Sequence, residues 1–206
     1  SHEASASGVL LTMFGPRFPL AHESSLIDAQ STHWLQALDE VRSSIASGTL
    51  RTLAERQTLS SPRLVEHLRY HDQACSDVRG LLTTHVAKET RFPCYSTTML
   101  SEPLVTDWET FMMSAYEPPA EVRDVMILLP CSARKPYRLS KSHGRFIQAI
   151  QSTACHEVMM TSPLGLVPRD LEDVWPASHY DVPVTGDWNL DELARVERML
   201  TNLVAR

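Results

Sequence analysis

The chain contains a short, uninterrupted apolar run that is followed at once by a long basic loop. Residues 125–129 are all apolar, and a run of this length is typical of a strand covered on both faces, as in a parallel sheet. The next segment, residues 130–143, carries a thiol, hydroxyl groups and cations. Because loops after the carboxyl ends of parallel strands line ligand crevices, this order places reactive side chains where a pocket is expected.

The rest of the sequence alternates between helical and strand-like patterns. Helical spacing of apolar residues predicts helices over residues 31–48, 61–78, 102–116, 144–151 and 189–203. Strand-like runs lie at residues 91–98, 125–129, 157–160 and 180–184. We therefore expect an α/β layered fold with a mainly parallel central sheet, preceded by helices. Residues 1–24 are predicted to be an amino-terminal extension, and residues 25–206 a single domain with a helical part to residue 120 and a sheet part from residue 121.

Two loops follow strand-like runs and are expected to face one pocket. They cover residues 130–143 and 161–169, and both leave their strands at the carboxyl end. Ser162 is the candidate substrate contact in the second loop. Asp187, which closely follows the turn at Gly186, is a further candidate for the pocket.

The charge pattern restricts where nucleic acid could bind. The formal net charge is -6, so the chain as a whole does not attract phosphate, and binding would need a local basic patch. The first loop and the segment after it supply such a patch without any acidic residue, at Arg134, Lys135, Arg138, Lys141 and Arg145. A solvated cationic loop is the alternative interpretation.

Cys131 is the candidate nucleophile. It lies just after the apolar run, where a thiol is held rigidly and still reaches a pocket, and nearby cations favour the reactive thiolate. A small packing thiol fits the same position equally well. A phosphatase-type Cys-x5-Arg cradle is excluded, because Tyr137 stands where that motif needs arginine. The chain has no CxxC pair, so neither a structural zinc site nor a thioredoxin-type pair is indicated.

The remaining polar residues of the loop have two interpretations each. His143 suits a general acid or base, but it equally suits a helix-start residue that bonds to a hydroxyl. Ser140 and Ser142 could cap the following helix, hold a phosphate, or do both. Tyr137 offers a ring on which a base could stack.

Residues 130–143 read Pro-Cys-Ser-Ala-Arg-Lys-Pro-Tyr-Arg-Leu-Ser-Lys-Ser-His and resemble the hallmark motif of archaeosine synthases, archaeal enzymes related to tRNA-guanine transglycosylases. The segments that agree with this family in order and character are residues 48–53, 67–72, 162–172 and 180–186. The resemblance thus covers most of the chain. The core of that family resembles uracil-DNA glycosylase, an α/β fold whose pocket is formed by loops after the strands.

The resemblance implies a reaction. The family modifies tRNA that carries 7-cyano-7-deazaguanine in the D-loop, and it adds an amino acid, lysine or glutamine, to the nitrile. The implied catalytic residues are Cys131, Lys135 and His143, with Lys135 polarising the pocket. The implied substrate contacts are Ser132, Tyr137, Ser140, Ser142, Ser162 and Asp187. The implied contacts to the tRNA backbone are Arg134, Arg138, Lys141 and Arg145. No cofactor and no metal ligand are expected.

The resemblance also implies partners. Full-length members resemble a transglycosylase-like domain with a zinc site, followed by the core and a PUA domain that grips tRNA. We expect this chain to be a fragment, half of a split enzyme or a shortened paralogue, and to work with tRNA, a free amino acid, and either a PUA-containing subunit or a radical SAM enzyme. The alternative function is a non-catalytic tRNA-binding or scaffolding subunit. A base-excision glycosylase follows from fold analogy alone.

The location expected from the sequence is cytoplasmic and away from membranes. The chain starts without a basic segment, and its first apolar stretch is too short for a signal peptide or a membrane span.

Overall fold

The computed structural model describes residues 26–74, 91–94, 97–151 and 153–206. The expected amino-terminal extension lies outside these ranges, as does the end of the helix expected over residues 61–78. The chain divides into two compact units, residues 1–87 and 88–206. The boundary expected between residues 120 and 121 therefore falls within the second unit.

The described part of the first unit is helical. Its helices are α1 (Leu26–Ala46), α2 (Leu50–Thr58) and α3 (Pro62–Ala74). Arg51 joins α2 to α3: its guanidinium is buried and donates to Glu55 at 2.9 Å on its own helix and to Asp72 at 2.6 Å on α3. The second terminal nitrogen of Arg51 donates to the other oxygen of Asp72 at 3.0 Å. This bidentate pairing compensates the cost of burying the charges.

The second unit combines helices with short strands. Its elements are β1 (Phe92–Pro93), α4 (Pro103–Ser114), β2 (Met126–Pro130), α5 (Lys141–Ile150), β3 (His156–Thr161), β4 (Gly165–Pro168), β5 (Tyr180–Asp181) and α6 (Leu190–Val204). Short 3-10 turns lie at Thr97–Ser101, Tyr137–Leu139 and Arg169–Leu171. No described helix is both long and apolar enough to cross a membrane.

The described strands form two small sheets. In the larger one, β2 pairs with β3 in parallel and β3 pairs with β4 in antiparallel orientation, in the order β2-β3-β4. In the smaller one, β1 and β5 are parallel. The mixture of helices and strands agrees with the expected α/β class. The larger described sheet is mixed, so the single, mainly parallel sheet expected from the sequence is not found among these strands.

Strand β4 lies where the sequence predicts a loop, so the prediction of a loop over residues 161–169 is wrong for that stretch. Gly165 has a φ of 80°, a left-handed conformation that glycine adopts without strain. It reverses the chain so that Gly165 pairs with Thr161, while Leu166 and Val167 are fully buried. A run this short carries too little periodicity to be recognised as a strand.

Strand β2 is less buried than its sequence predicts. Leu129 is 6% exposed, but Leu128 is 39% exposed, so the expectation of a strand covered on both faces is wrong. Apolar residues on both faces of a strand do not show which of them a neighbouring element covers.

Arg195 links α6 to other parts of the second unit. This buried guanidinium donates to the Glu109 carboxylate on α4 at 2.7 Å, to the Pro163 carbonyl at 3.0 Å and to the Leu100 carbonyl at 2.7 Å. A capping box begins α6: the Glu192 amide donates to Asn189 Oδ1 at 2.9 Å, and the Asn189 amide donates to Glu192 Oε2 at 2.7 Å.

Gly165→Ala should destabilise the second unit strongly. A Cβ at this position would lie 2.4 Å from Met199 Sδ and 3.1 Å from Arg195 Cγ, and the left-handed φ adds strain. We expect the free energy of unfolding to fall by about 2–4 kcal/mol. Gly186→Ala is the matched control, because its φ is 73° but nothing lies within 4 Å of its Cβ. Gly186→Ala should lower the free energy of unfolding by only about 1 kcal/mol. Equal losses for the two variants in urea unfolding would contradict the packing argument.

Candidate active site

Cys131 opens into a cavity that the expected second loop also lines. The cavity has a volume of about 460 Å³, and its lining includes Cys131, Ser162, Asp187 and Glu192. The loops after β2 and β3 thus line one pocket, as the sequence predicts, and Asp187 lines it as well. The roles of Ser162 and Asp187 as substrate contacts stay predictions.

Most of the cavity wall is apolar. Met99, Leu100, Met160 and Val182 line it, and the half-buried Trp188 is the aromatic side chain of its described lining. A concave, largely apolar site with a few polar groups is the usual form of a small-molecule pocket. An indole in the wall supplies the flat surface that a base needs for stacking.

Glu192 supplies a fixed carboxylate in this cavity. Its Oε1 accepts a hydrogen bond from the Ser162 hydroxyl, and its Oε2 accepts one from the Asn189 amide at 2.7 Å. A carboxylate has about four lone-pair sites, so acceptor capacity remains for a ligand. The sequence analysis does not identify Glu192 as a site residue. The signal that could have found it is its position in the first turn of α6, just after Asp187 and Trp188.

His143 lies behind the cavity instead of in it. The side chain is fully buried. Arg169 donates to its Nδ1 at 3.1 Å, and because a guanidinium has no acceptor, the proton of His143 sits on Nε2 and is donated to the Pro130 carbonyl at 3.0 Å. Both ring nitrogens are therefore engaged within the protein. This geometry fits a positioning role for His143 at the carbonyl of Pro130, the residue before Cys131, and leaves no ring nitrogen free for the expected proton transfer at the substrate.

Burial lowers the pKa of His143, and the positive charge of Arg169 lowers it further, while the hydrogen bond to Pro130 opposes the shift. Arg169 itself is held by two carboxylates, Glu157 at 2.6 Å and Glu172 at 3.1 Å. The imidazole is thus kept neutral, which is the form its two hydrogen bonds require.

Tyr137 is part of the core, so the expectation that its ring stacks on a base is wrong. The side chain is fully buried, and its hydroxyl shares a hydrogen bond with that of Tyr180. The Tyr180 hydroxyl also lies 2.6 Å from Thr161 Oγ1. Burial raises the pKa of both tyrosines. These hydroxyls join the loop after β2 to β5 and to the end of β3.

Lys135 lies beside a different cavity. The described lining of the Cys131 cavity does not include Lys135, which instead lines a second space of about 450 Å³ together with Arg91 and Arg134. Its ammonium is 4.1 Å from the centre of the Tyr180 ring. Burial lowers the pKa of Lys135, and the nearby thiols of Cys131 and Cys94 oppose that shift. Lys135 is thus near the Cys131 thiol but does not line its cavity.

The basic patch is only partly available. Arg138 pairs with Asp173 and lies 3.5 Å from Glu172, so two carboxylates neutralise it. The exposed side chains of Arg134, Lys141 and Arg145 form no ion pair with any described residue.

The three serines of the first loop lie outside the described lining of the Cys131 cavity. Ser140 caps α5 by accepting from the His143 amide at 3.2 Å. Ser142 is exposed and lies 3.2 Å from the Ser140 hydroxyl. Ser132 donates to the Arg134 carbonyl at 3.0 Å. The capping interpretation of Ser140 is therefore confirmed. No described group of three or more His, Cys, Asp or Glu side chains could hold a metal ion.

The chain is similar to proteins of one family. Residues 105–206 match a family model described as a domain of unknown function, DUF5591. The chain is 37% identical over 191 residues to archaeosine synthase subunit alpha of Methanosarcina acetivorans, and the aligned residues cover 91% of this chain and 30% of that protein. It is 35% identical over 173 residues to archaeosine synthase subunit alpha of Thermoplasma acidophilum, and the aligned residues cover 81% of this chain and 32% of that protein. No solved structure matches.

A shorter stretch is more similar. Over 81 residues the chain is 52% identical to the archaeosine synthase of Haloferax volcanii, which covers 39% of this chain and 14% of that protein. These similarities define the chain as a relative of proteins from archaea. More specifically, the chain is a homologue of archaeosine synthases and of their alpha subunits, as the motif at residues 130–143 predicts. It spans about a third of the length of the curated relatives it matches over most of its own length.

The buried, neutral His143 should make stability depend on pH. Because its pKa in the folded state lies below the ordinary value of 6.5, the unfolded chain binds more protons as the pH falls below that value, and the folded state is destabilised. His143→Gln keeps a donor for the Pro130 carbonyl but does not titrate. At pH above the ordinary histidine value we expect it to be about 1–2 kcal/mol less stable than the wild type.

The difference in unfolding free energy between wild type and His143→Gln should shrink as the pH falls through the region below the ordinary histidine value. Urea unfolding at a series of pH values measures it. His67→Gln is the control for a histidine replacement at an exposed position. A His143→Gln difference that does not change with pH would contradict a neutral, buried imidazole.

Proposed function

We propose that the cavity beside Cys131 is the site at which a nitrile-bearing base of tRNA, 7-cyano-7-deazaguanine, is joined to an amine donor in archaeosine biosynthesis. The observation that carries this proposal is the position of Cys131, whose thiol lines a largely apolar cavity of about 460 Å³. Such a cavity is of the usual size for a small-molecule site. The names of the relatives, archaeosine synthase and archaeosine synthase subunit alpha, support the same reaction.

A nitrile carbon is electrophilic, so two routes lead to the same product. In the covalent route the Cys131 thiolate adds to the carbon while the nitrile nitrogen takes a proton, which gives a thioimide. The donor amine then adds to that carbon and the thiol leaves, which gives an amidine. In the direct route the amine adds to the carbon and one of its protons passes to the nitrile nitrogen. Both routes balance with the nitrile and the amine as the reactants.

Recognition of the base is assigned to residues around the cavity. Trp188 provides the stacking surface that the buried Tyr137 does not. A guanine-like base presents two neighbouring N–H donors on one edge, and carboxylates accept such donors. Asp187 and Glu192 both line the cavity. Glu192 is held in place by Ser162, so it costs little conformational entropy to orient.

The RNA backbone is assigned to exposed cations of the same unit. Lys141 and Arg145 lie on α5 and form no ion pair with a described residue. Arg138 is a weaker candidate, because Asp173 and Glu172 already neutralise it. Since the formal net charge of the chain is -6, these local charges would act against a repulsive background.

The complete activity is proposed to need more than this chain. The chain spans about a third of the length of the relatives it matches. We propose that a PUA-containing subunit contributes affinity for tRNA and that a radical SAM partner converts the amidine to archaeosine. A cytoplasmic location and a core like that of uracil-DNA glycosylase belong to the same proposal.

Replacing the thiol tests the reaction. The chain, alone and with a full-length relative's remaining domains supplied in trans, is incubated with nitrile-bearing tRNA and labelled lysine or glutamine, and the nucleosides are analysed by mass. Cys131→Ala should abolish label transfer by the covalent route, whereas Cys155→Ala is the control because Cys155 lies outside the described lining of the cavity. Unchanged transfer by Cys131→Ala would eliminate the thioimide. Transfer by neither wild type nor variant would contradict the proposed reaction.

One observation favours the scaffolding alternative. Of the three residues expected to be catalytic, only Cys131 lines the cavity, because His143 is buried and Lys135 faces a second space. A scaffolding subunit would bind the tRNA and leave its nitrile unchanged. The same assay distinguishes it, since tRNA bound without any mass change at the nucleoside supports the scaffold.

Removing the indole should weaken binding of the tRNA base. Stacking of one base on an aromatic ring contributes about 1–3 kcal/mol, so Trp188→Ala should raise KM for nitrile-bearing tRNA by about tenfold or more. Trp188→Phe keeps an aromatic face and should retain most of the affinity. If both variants bind nitrile-bearing and unmodified tRNA as the wild type does, Trp188 does not contact the base.

A further inference from the structure

The second cavity of this unit contains cations that lack counter-ions. It has a volume of about 450 Å³, and its lining includes Arg91, Arg134, Lys135 and Asp173. The acid of this set is already engaged, because Asp173 pairs with Arg138. Arg91 lies 3.1 Å from Asp181. Arg134 and Lys135 themselves form no ion pair with any described carboxylate. Burial lowers the pKa of Lys135, although the charge of Asp181 opposes that shift.

Lys135 is the more unusual of the two cations Arg134 and Lys135. Its ammonium is buried, and among the described residues no acceptor lies within hydrogen-bonding distance of it. It lies 4.1 Å from the centre of the Tyr180 ring and 5.8 Å from that of Tyr137, and aromatic faces stabilise a cation only in part. A buried donor without an acceptor is costly. An anion in the cavity would supply the missing acceptor.

Arg134 complements Lys135 at the exposed part of the same cavity. Its side chain is exposed, and its backbone is held by a hydrogen bond from Ser132 to its carbonyl at 3.0 Å. A planar guanidinium binds a carboxylate through two parallel hydrogen bonds. One oxyanion between Arg134 and Lys135 would therefore satisfy a bidentate donor and a buried ammonium together.

We propose that this second cavity binds the carboxylate of the free amino acid that donates the amine. The identity of the ligand rests on the proposed function, whereas the anion site rests on the unpaired cations. Two observations favour a small zwitterion over an RNA phosphate. The ammonium of Lys135 is buried, so a polymer backbone cannot approach it closely. Asp173 also lines the cavity, and its carboxylate disfavours a phosphodiester at the same place even though it pairs with Arg138.

The position of the cavity fits this role. Cys131 and Lys135 belong to one short loop after β2, yet they line different cavities. The Cys131 thiol is close enough to influence the charge of Lys135. A donor anchored by its carboxylate at Lys135 would thus be held beside the nitrile carbon, with its amine free to enter the first cavity.

Binding of amino acids without tRNA tests the site directly. Calorimetry or ligand-detected NMR is carried out with L-lysine, L-glutamine, cadaverine, which is lysine without its carboxylate, and inorganic phosphate. We expect lysine or glutamine to bind the wild type and cadaverine to bind at least about tenfold more weakly, since one charge-assisted interaction is lost. Cadaverine binding as tightly as lysine, or only phosphate binding, would overturn the carboxylate site.

Variants then locate the site. Arg134→Gln and Lys135→Met should each weaken amino acid binding by about tenfold, and the tenfold preference of the wild type for lysine over cadaverine should disappear in both. Arg123→Gln is the control, because Arg123 is exposed and lies outside the lining of either cavity. Circular dichroism checks folding, and the exposed Arg134 keeps the test valid if Lys135→Met unfolds. Equal binding by wild type and Arg134→Gln would contradict the proposal.

The two proposals can fail separately. The titration contains no tRNA and no nitrile, so its result does not depend on whether Cys131 reacts. If Arg134→Gln instead weakens tRNA binding and leaves amino acid binding unchanged, the cavity binds phosphate and the carboxylate assignment is wrong.

Discussion

The second unit depends on the buried guanidinium of Arg195. Its hydrogen bonds reach Glu109 on α4, the Leu100 carbonyl and the Pro163 carbonyl, and each charge-assisted bond is stronger than one between neutral groups. Leu100 and Pro163 also line the Cys131 cavity. Arg195 therefore joins α6 to α4 and also holds two residues of the cavity wall in place. The packing of the unit and the shape of the cavity depend on the same side chain.

The end of β2 is held by a second buried network. His143 donates to the Pro130 carbonyl and accepts from Arg169, while the hydroxyls of Tyr137 and Tyr180 share a hydrogen bond. Arg169 in turn is held by carboxylates. The segment of residues 130–143 thus has two roles. His143 and Tyr137 support the end of β2, next to Cys131. Cys131 and Lys135 line the cavities.

The sequence predicts where the site lies better than it predicts which side chains enter it. The apolar run of β2, the thiol after it and the joint pocket with Ser162 follow from residue order and from the tendency of loops after the carboxyl ends of parallel strands to line ligand crevices. The burial of Tyr137 could not be predicted, because it depends on Tyr180, a partner far along the chain. Strand β4 cannot be predicted from its short apolar run, because its pairing depends on the left-handed φ of Gly165.

Glu192 belongs both to a helix end and to a ligand cavity. Its carboxylate accepts from the Asn189 amide at the start of α6 and from the Ser162 hydroxyl in the cavity wall. A ligand that donates a hydrogen bond to this carboxylate alters the hydrogen bond between Glu192 and the Asn189 amide in the first turn of α6. Because the two equilibria are linked, the opening of that turn also changes the affinity for the ligand. Occupancy of the cavity is therefore expected to be reported by the exchange rates of backbone amides at the start of α6, without any movement of the helix as a whole.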